Sequence, residues 1–201
     1  MPESALDEER IAQQMRFLLE ADKLKLIERR NLVADGSRRE NSAEHSWHIA
    51  LMALVLTEYA EEAVDLARVV RMLVVHDLVE IHAGDTFLFD PAANLDKSQR
   101  EQASANTLFA LLPLEQAQQL RALWDEFEER QTPEARFAAA IDSFQPILQN
   151  WETQGGSWRA NGVTAAKVLE RKKRDLEPFP RLWAYAQKLV KDAVERGYIR
   201  P

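Results

Sequence analysis

The chain has 201 residues, 46% hydrophobic and 29% charged, a balance that suits a globular protein long enough for one sizeable core. Its formal charge of −7 argues against a general nucleic-acid binder, which carries a basic face, while leaving room for a small anion held by a few local arginines. It has no cysteine, which excludes a disulfide framework, a thiolate metal site and a cysteine nucleophile.

The N-terminal MPESALDEER is acidic and lacks the basic and apolar parts of a signal peptide. No apolar run approaches the length that spans a membrane. A cytoplasmic protein with no membrane partner is therefore expected. Helix formers dominate and there are only six glycines, which favours an all-α class. No internal repeat or domain boundary is evident, so residues 1–201 read as a single domain.

Ile11, Met15, Leu18 and Leu19, then Leu24, Leu26 and Ile27, predict a first helix, broken near Asp22. Arg29 and Arg30 would close it, since cations suit a helix C-terminus. Asn31 to Asn41 reads as a polar loop with an Asp35-Gly36 turn, carrying Arg38 and Arg39. Ser42 is a candidate N-cap for a second helix, with Glu44 in its first turn. That helix runs to about Ala60, with Ile49, Met52, Ala53 and Leu56 on one face. His45 and His48 lie at its start, three apart and so neighbours on the surface. Either could be a metal ligand or a surface histidine.

Arg68 to Asp85, RVVRMLVVHDLVEIHAGD, is the central stretch. Its valines, leucines, Met72 and Ile81 put apolar groups nearly all round a helix, which marks a buried helix. Yet it carries His76, Asp77 and Glu80, and burying unpaired charge is costly. Glu80 shares a face with both His76 and Asp77. Those two are adjacent and point about 100° apart, so they meet only if something sits off the helix shoulder. A metal ion in an interhelical groove is such an object; a hydrogen-bonded core histidine is the plainer alternative. Gly84 is a candidate C′ residue. The apolar loop Phe87 to Asp96 has the character of a segment folded over something.

Helices follow over Lys97 to Leu112, stopped before Pro113, and over Leu114 to Gln131, with Leu120, Leu123, Trp124 and Phe127 inward. Thr132-Pro133-Glu134 is a strong helix start. The helix it opens carries Phe137, Ile141, Phe144, Leu148 and Trp151 inward, with Asp142 beside that stripe. Pro146, four residues on, removes the partner of the Asp142 carbonyl and predicts a kink. Gly155-Gly156 ends this helix and Ser157 to Val163 reads as a loop. Thr164 opens a basic helix to Arg174, whose run Arg171-Lys172-Lys173-Arg174 reads as a solvated helix end. A last helix runs from Trp183 to Arg196.

The set His45, His76-Asp77 and Asp142, with the segments Leu24-Lys25-Leu26-Ile27, Glu40-Asn41-Ser42-Ala43-Glu44-His45-Ser46, His76-Asp77-Leu78-Val79-Glu80 and Gly84-Asp85, resembles the HD superfamily of metal-dependent phosphohydrolases, and most closely its 5′-deoxynucleotidases. The resemblance implies a helical bundle with a metal-site core at about 24–152 and the C-terminal helices 164–197 packed on it. It implies His45, His76, Asp77 and Asp142 as ligands of one divalent cation, Glu80 as an acidic residue essential for catalysis, Arg29 on the substrate phosphate and Asp85 near the sugar. It also implies a homodimer, which aromatic residues of the late helices (Trp151, Trp158, Trp183) would serve. One position departs: Arg30 stands where the 5′-deoxynucleotidases carry Trp against the sugar.

The chemistry is consistent with that transfer. Two imidazoles and two carboxylates suit a transition ion such as Mn²⁺, Co²⁺, Fe²⁺ or Zn²⁺, which can lower the pKa of bound water from about 15.7 towards 7. Glu80 could orient or deprotonate that water or protonate the leaving oxygen. Arg29, with Arg30, Arg38 or Arg39, would grip phosphate by forked hydrogen bonds. The expected activity is release of phosphate from nucleoside 5′-monophosphates, 5′-deoxynucleotides foremost. The rival readings are a nucleotide- or metal-binding regulatory module without turnover, and an HD-type dinuclear oxygenase, for which His82 alone offers an extra ligand.

Overall fold

The computed structural model describes residues 3–90 and 92–201, with side chains from Asp7 onward. Met1 and Pro2 of the acidic N-terminus and Pro91 of the Phe87–Asp96 loop lie outside them. The described residues form helices α1 (Glu3–Ala21), α2 (Ser42–Leu56), α3 (Leu66–Val75), α4 (Glu80–Ala83), α5 (Lys97–Phe109), α6 (Leu114–Glu129), α7 (Pro133–Glu152), α8 (Gly156–Ala160), α9 (Ala165–Leu176) and α10 (Pro180–Glu195), with two short strands, β1 (Glu28–Leu32) and β2 (Arg39–Asn41). The all-α class holds.

The first helix ends at Ala21 and tightens into a 3₁₀ turn over Asp22–Leu26, as the break near Asp22 requires. Its inward anchor is Phe17, whereas Ile11, Met15, Leu18 and Leu19 are exposed. Arg29 and Arg30 do not close that helix. They lie in β1, which pairs antiparallel with β2 (Glu28 opposite Asn41, Leu32 opposite Arg39) around a turn where Gly36 takes φ +73. Strand alternation then decides their fate: Arg29 and Asn31 face inward, Glu28 and Arg30 outward. The ERRNL strand escapes the sequence because it has no apolar face to give it a period of two.

Helix α2 is capped by Asn41, one residue before Ser42. The Asn41 side chain accepts from the Glu44 N–H, and the Glu44 carboxylate accepts from the Asn41 N–H, a reciprocal capping box.

The central stretch is not one helix. After Val75 the chain switches to bonds three residues back, Leu78 to Val75 and Glu80 to Asp77, before α4 begins. This tighter winding turns the His76–Asp77 pair through a sharper angle per residue than an α-helix allows. Nor is it buried all round, since Arg68, Arg71 and Val74 are exposed. Gly84, at φ +77, ends α4.

Two apolar clusters fill the interior. One gathers α2, α3, α7, α9 and α10, with Ile49, Leu73, Phe137, Ile141 and Val190 among its buried members. The other joins Phe17 and Leu24 to Val75, Leu78, Leu108 and Trp124. The turn after Val75 is where the chain passes between them. Thr132 caps α7 and Pro133 is its first residue, as expected; α7 runs on through Pro146 as one element. Ser157 is not in a loop: Gly156–Ala160 forms α8, entered through Gly155 at φ +92, and Trp158 is buried there. Trp151 and Trp183 are partly buried against the core.

Candidate metal centre

Three helices bring the four candidate ligands near one another; His45, His76 and Asp142 form one cluster, and Asp77 stands at its edge. His45 sits in the first turn of α2, His76 and Asp77 at the end of α3, and Asp142 in the middle of α7. Capping at Asn41 fixes the rotation of α2 that aims His45 inward, and the His45 ring is fully buried. One ligand atom each from His45, His76 and Asp142 lies within 4.8 Å of the others. His45 Nε2 is 3.0 Å from Asp142 Oδ1 and 3.9 Å from Asp77 Oδ2. His76 Nε2 is 3.0 Å from Asp77 Oδ1 and 4.0 Å from Asp142 Oδ1. Ligand atoms about 2.0–2.2 Å from one ion would stand about 3–4.4 Å apart, which these separations match.

Each imidazole has its other nitrogen occupied. His76 Nδ1 lies 2.9 Å from the Leu73 carbonyl, an acceptor only, so Nδ1 carries the proton in the neutral ring and the Nε2 lone pair is free. His45 Nδ1 lies 3.2 Å from Gln145 Oε1, with the same result. This is the outer-shell pattern that fixes tautomer and orientation in metal-binding histidines. His76 Nε2, though close to Asp77, lacks hydrogen-bond alignment and is a buried polar atom without a partner. Buried groups of this kind call for an explanation, and a cation between the rings supplies one. The donor set fits a divalent ion.

Electrostatics divide the two rings. Burial, aided by Arg29, drives His45 down to about 4 and keeps it neutral. Burial also pushes His76 down, but Asp77, Asp142 and Glu80 outweigh it and hold the ring at about 9. Burial would raise Asp142, yet the neighbouring His45 ring and the charges of His76 and Lys172 keep it well below the usual carboxylate range.

Behind the ligands runs a buried polar layer that the sequence did not reveal as functional. Gln145 Nε2 donates to Glu40 Oε1 (2.8 Å), as does Gln149 Nε2 (2.6 Å), and Asn31 Nδ2 donates to Gln149 Oε1 (3.1 Å). Arg29 Nη1 donates to Asp77 Oδ2 at 3.0 Å, and Arg29 Nε stands 3.6 Å from Glu40 Oε2. Four carboxylates, Asp77, Glu80, Asp85 and Asp142, hold Arg29 charged against its burial. The available signal was the spacing of Gln145 and Gln149, two amides one turn apart on an otherwise apolar helix.

Glu80 is buried and accepts from the Ser42 hydroxyl at 2.6 Å. Burial, with the charges of Asp77 and Asp85, lifts its carboxyl well above the ordinary value, Arg29 opposing. A cavity of about 100 Å³ is lined by Arg29, which donates to Asp77, and by Asp85, Phe87, Phe89, Trp158 and Lys172 among others, but not by His45, His76, Asp77, Glu80 or Asp142. The apolar loop after Gly84 thus forms its wall. Arg30 is exposed on the far face of β1. Arg38 forks onto Glu44 (2.6 and 2.8 Å), and Arg39 lies 3.8 Å from Glu28. None of these three lines the cavity. His48 turns to Gln145 Nε2 at 3.3 Å, and His82 to Glu20 at 3.0 Å, both apart from the cluster. Among the described residues no helix is long and apolar enough to cross a membrane.

Comparison with known proteins agrees with this arrangement. The chain is 55% identical to a protein of Magnetospirillum magnetotacticum MS-1 described as a predicted metal-dependent phosphohydrolase, whose crystal structure superposes with a TM-score of 0.90 over 96% of both chains. A Pyrococcus horikoshii OT3 protein, 21% identical, shares the fold with a TM-score of 0.68 over 87% of this chain and 99% of its own. The 5′-deoxynucleotidase HDDC2 of Bos taurus is 32% identical and that of Homo sapiens 30%, each over 136 residues, 67% of this chain. The chain spans 65% of the length of those two relatives. The HD domain family model matches residues 21–183, a span that takes in all four candidate ligands, and the chain belongs to the HD domain family.

Proposed function

We propose that this chain is a divalent-metal phosphohydrolase that releases phosphate from nucleoside 5′-monophosphates, with 5′-deoxynucleotides as the first substrates to test. One observation carries the proposal: His45, His76 and Asp142 converge from three helices, with Asp77 against them and bonded to Arg29, which lines a cavity together with Asp85. The names of the HDDC2 relatives support a nucleotide substrate. In this reading His45, His76, Asp77 and Asp142 hold one transition ion, Mn²⁺, Co²⁺, Fe²⁺ or Zn²⁺. When bound, such an ion supplies Lewis acidity and makes hydroxide available near neutral pH.

The chain's own groups do the rest. Arg29, fixed by Asp77 on one side and Glu40 on the other, presents its guanidinium to the phosphate oxygens. Glu80, with its carboxyl lifted towards neutrality by burial, is the group suited to carrying a proton between water and the leaving oxygen. The new bond joins a water oxygen to phosphorus, the P–O5′ bond breaks, and the nucleoside oxygen leaves with a proton. Asp85 accepts a hydrogen bond from the sugar. Arg30 faces away, so the sugar wall falls to Phe87, Phe89 and Trp158. We read residues 1–201 as one domain, and a second copy as its partner through the exposed face of Trp47, Leu51, Leu54 and Val55 on α2.

The test is phosphate release from a panel of 5′-nucleotides and other phosphomonoesters, measured after chelation and again after each metal is restored. Metal-dependent release is expected. Absence of release from every ester with every metal would refute the reading. Light scattering giving a monomer mass at micromolar concentration would refute the dimer.

A further inference from the structure

The basic run on α9 divides in two. Arg171, Lys173 and Arg174 are exposed, and Lys173 lies 3.4 Å from Glu177, as a solvated helix end would have it. Lys172 does not share that role. It falls between Val168 and Leu176, each four residues away, and both are fully buried. The inward stripe of α9 therefore carries a lysine where the pattern calls for a hydrophobic residue.

That lysine lines the same cavity as Arg29 and Asp85. Among the described residues no carboxylate pairs with it. Asp175 already accepts from Arg130 and from the Ser143 hydroxyl at 2.8 Å. Asp142 stands against His45, at 3.0 Å from its Nε2, and no contact to Lys172 is made. Burial pulls the ammonium towards its neutral form, Asp142 and Asp175 oppose this from a distance, and Arg29 adds repulsion. Arg29 is paired with Asp77, but Lys172 faces the same cavity with no contacting carboxylate, which is unfavourable for a buried ammonium unless an anion is to lie there.

We propose that Lys172 is a second substrate-binding cation, reaching the phosphate from α9 while Arg29 reaches it from β1. The proposal rests on the phosphohydrolase reading for its substrate and extends the site to a helix where the sequence offered only a solvated end. The ligand chemistry is a phosphate monoester dianion. Lys172 supplies a point charge with rotatable donors, complementary to the forked geometry of Arg29.

The test uses metal-loaded full-length protein and two probes, inorganic phosphate by calorimetry and a 5′-deoxynucleotide in steady state. Lys172→Met should weaken phosphate binding and raise KM by about tenfold, as loss of a charged hydrogen bond does. Metal stoichiometry should stay at the wild-type value, and Tm should hold or rise because a buried charge is removed. Lys172→Gln serves as a second variant if the methionine protein is insoluble, and Lys172→Arg should restore most of the affinity. Unchanged phosphate affinity in a folded Lys172→Met protein would overturn the proposal even if the enzyme is active. Weakened phosphate binding in a chain that hydrolyses no ester would uphold this anion site while the phosphohydrolase reading failed.

Discussion

Replacing Gln145 by Leu should loosen the metal without touching a ligand. Gln145 is fully buried. Its Oε1 accepts from His45 Nδ1 at 3.2 Å and its Nε2 donates to Glu40 at 2.8 Å. Leucine keeps much of the volume and removes both functions. His45 then has no acceptor to pin the proton on Nδ1, and Glu40 keeps only Gln149 at 2.6 Å. Loss of such an outer partner costs about 10–100-fold in metal affinity. Two buried groups losing a partner cost about 1–3 kcal/mol each, so about 2–5 kcal/mol together after partial relaxation. At about 2–4 °C per kcal/mol for a chain of this size, Tm should fall by about 4–20 °C. Competition against a calibrated chelator reads the affinity, and calorimetry of the metal-free protein reads the stability. If Tm falls while metal affinity stays within about twofold of wild type, the amide is only structural and the orienting role is refuted.

Glu80→Gln should keep metal stoichiometry and substrate affinity yet lose about 10²–10⁴-fold in kcat; wild-type turnover would remove Glu80 from the chemistry. Arg29→Met leaves Asp77 and Glu40 buried without their cation, which should cost about 3–5 kcal/mol and be visible as a lower urea midpoint; an unchanged midpoint would contradict the pairing. In the chelated protein, His76 near 9 is charged in the fold, so its stabilisation is complete below about pH 6.5 and lost as pH rises through 9. His45 near 4 is neutral in the fold, so stability drops as pH falls from about 6.5 towards 4. Between these two rings, Tm should peak near pH 6.5, and metal binding at pH 7 should release a proton measurable in buffers of different ionisation enthalpy. No proton release would show that His76 is already neutral.

The helices were legible because local chemistry marks their ends: Thr132-Pro133-Glu134 opened α7 as read, and Gly84 closed the central stretch. The candidate ligands were legible because charges in an apolar setting need a reason. What escaped was decided by tertiary contact. ERRNL has no apolar period, so its strand exists only through pairing with Arg39–Asn41. The switch to bonds three residues back after Val75 has no glycine or proline to announce it. Glu40, Gln145 and Lys172 are polar residues whose meaning depends on what faces them. Each sits within a stretch whose own pattern reads as loop, core or solvated end.

Those illegible elements place the site. Along the tightened turn His76 and Asp77 diverge by about 100° or more, yet His76 Nε2 stands 4.0 Å from Asp142 Oδ1 and Asp77 Oδ2 3.9 Å from His45 Nε2, because the turn passes between α2 and α7. In a helical continuation of residues 24–27, the roughly 100° step per residue would put Arg29 and Asn31 on nearly opposite sides. As a strand, β1 sends both inward, Arg29 to Asp77 and Asn31 to Gln149, while Arg30 faces out. The position that departs from the 5′-deoxynucleotidases thus lies on the outer face of the strand, where a cation is solvated at little cost. The irregular segments set which residues meet, while the regular helices supply the rigidity that holds them there.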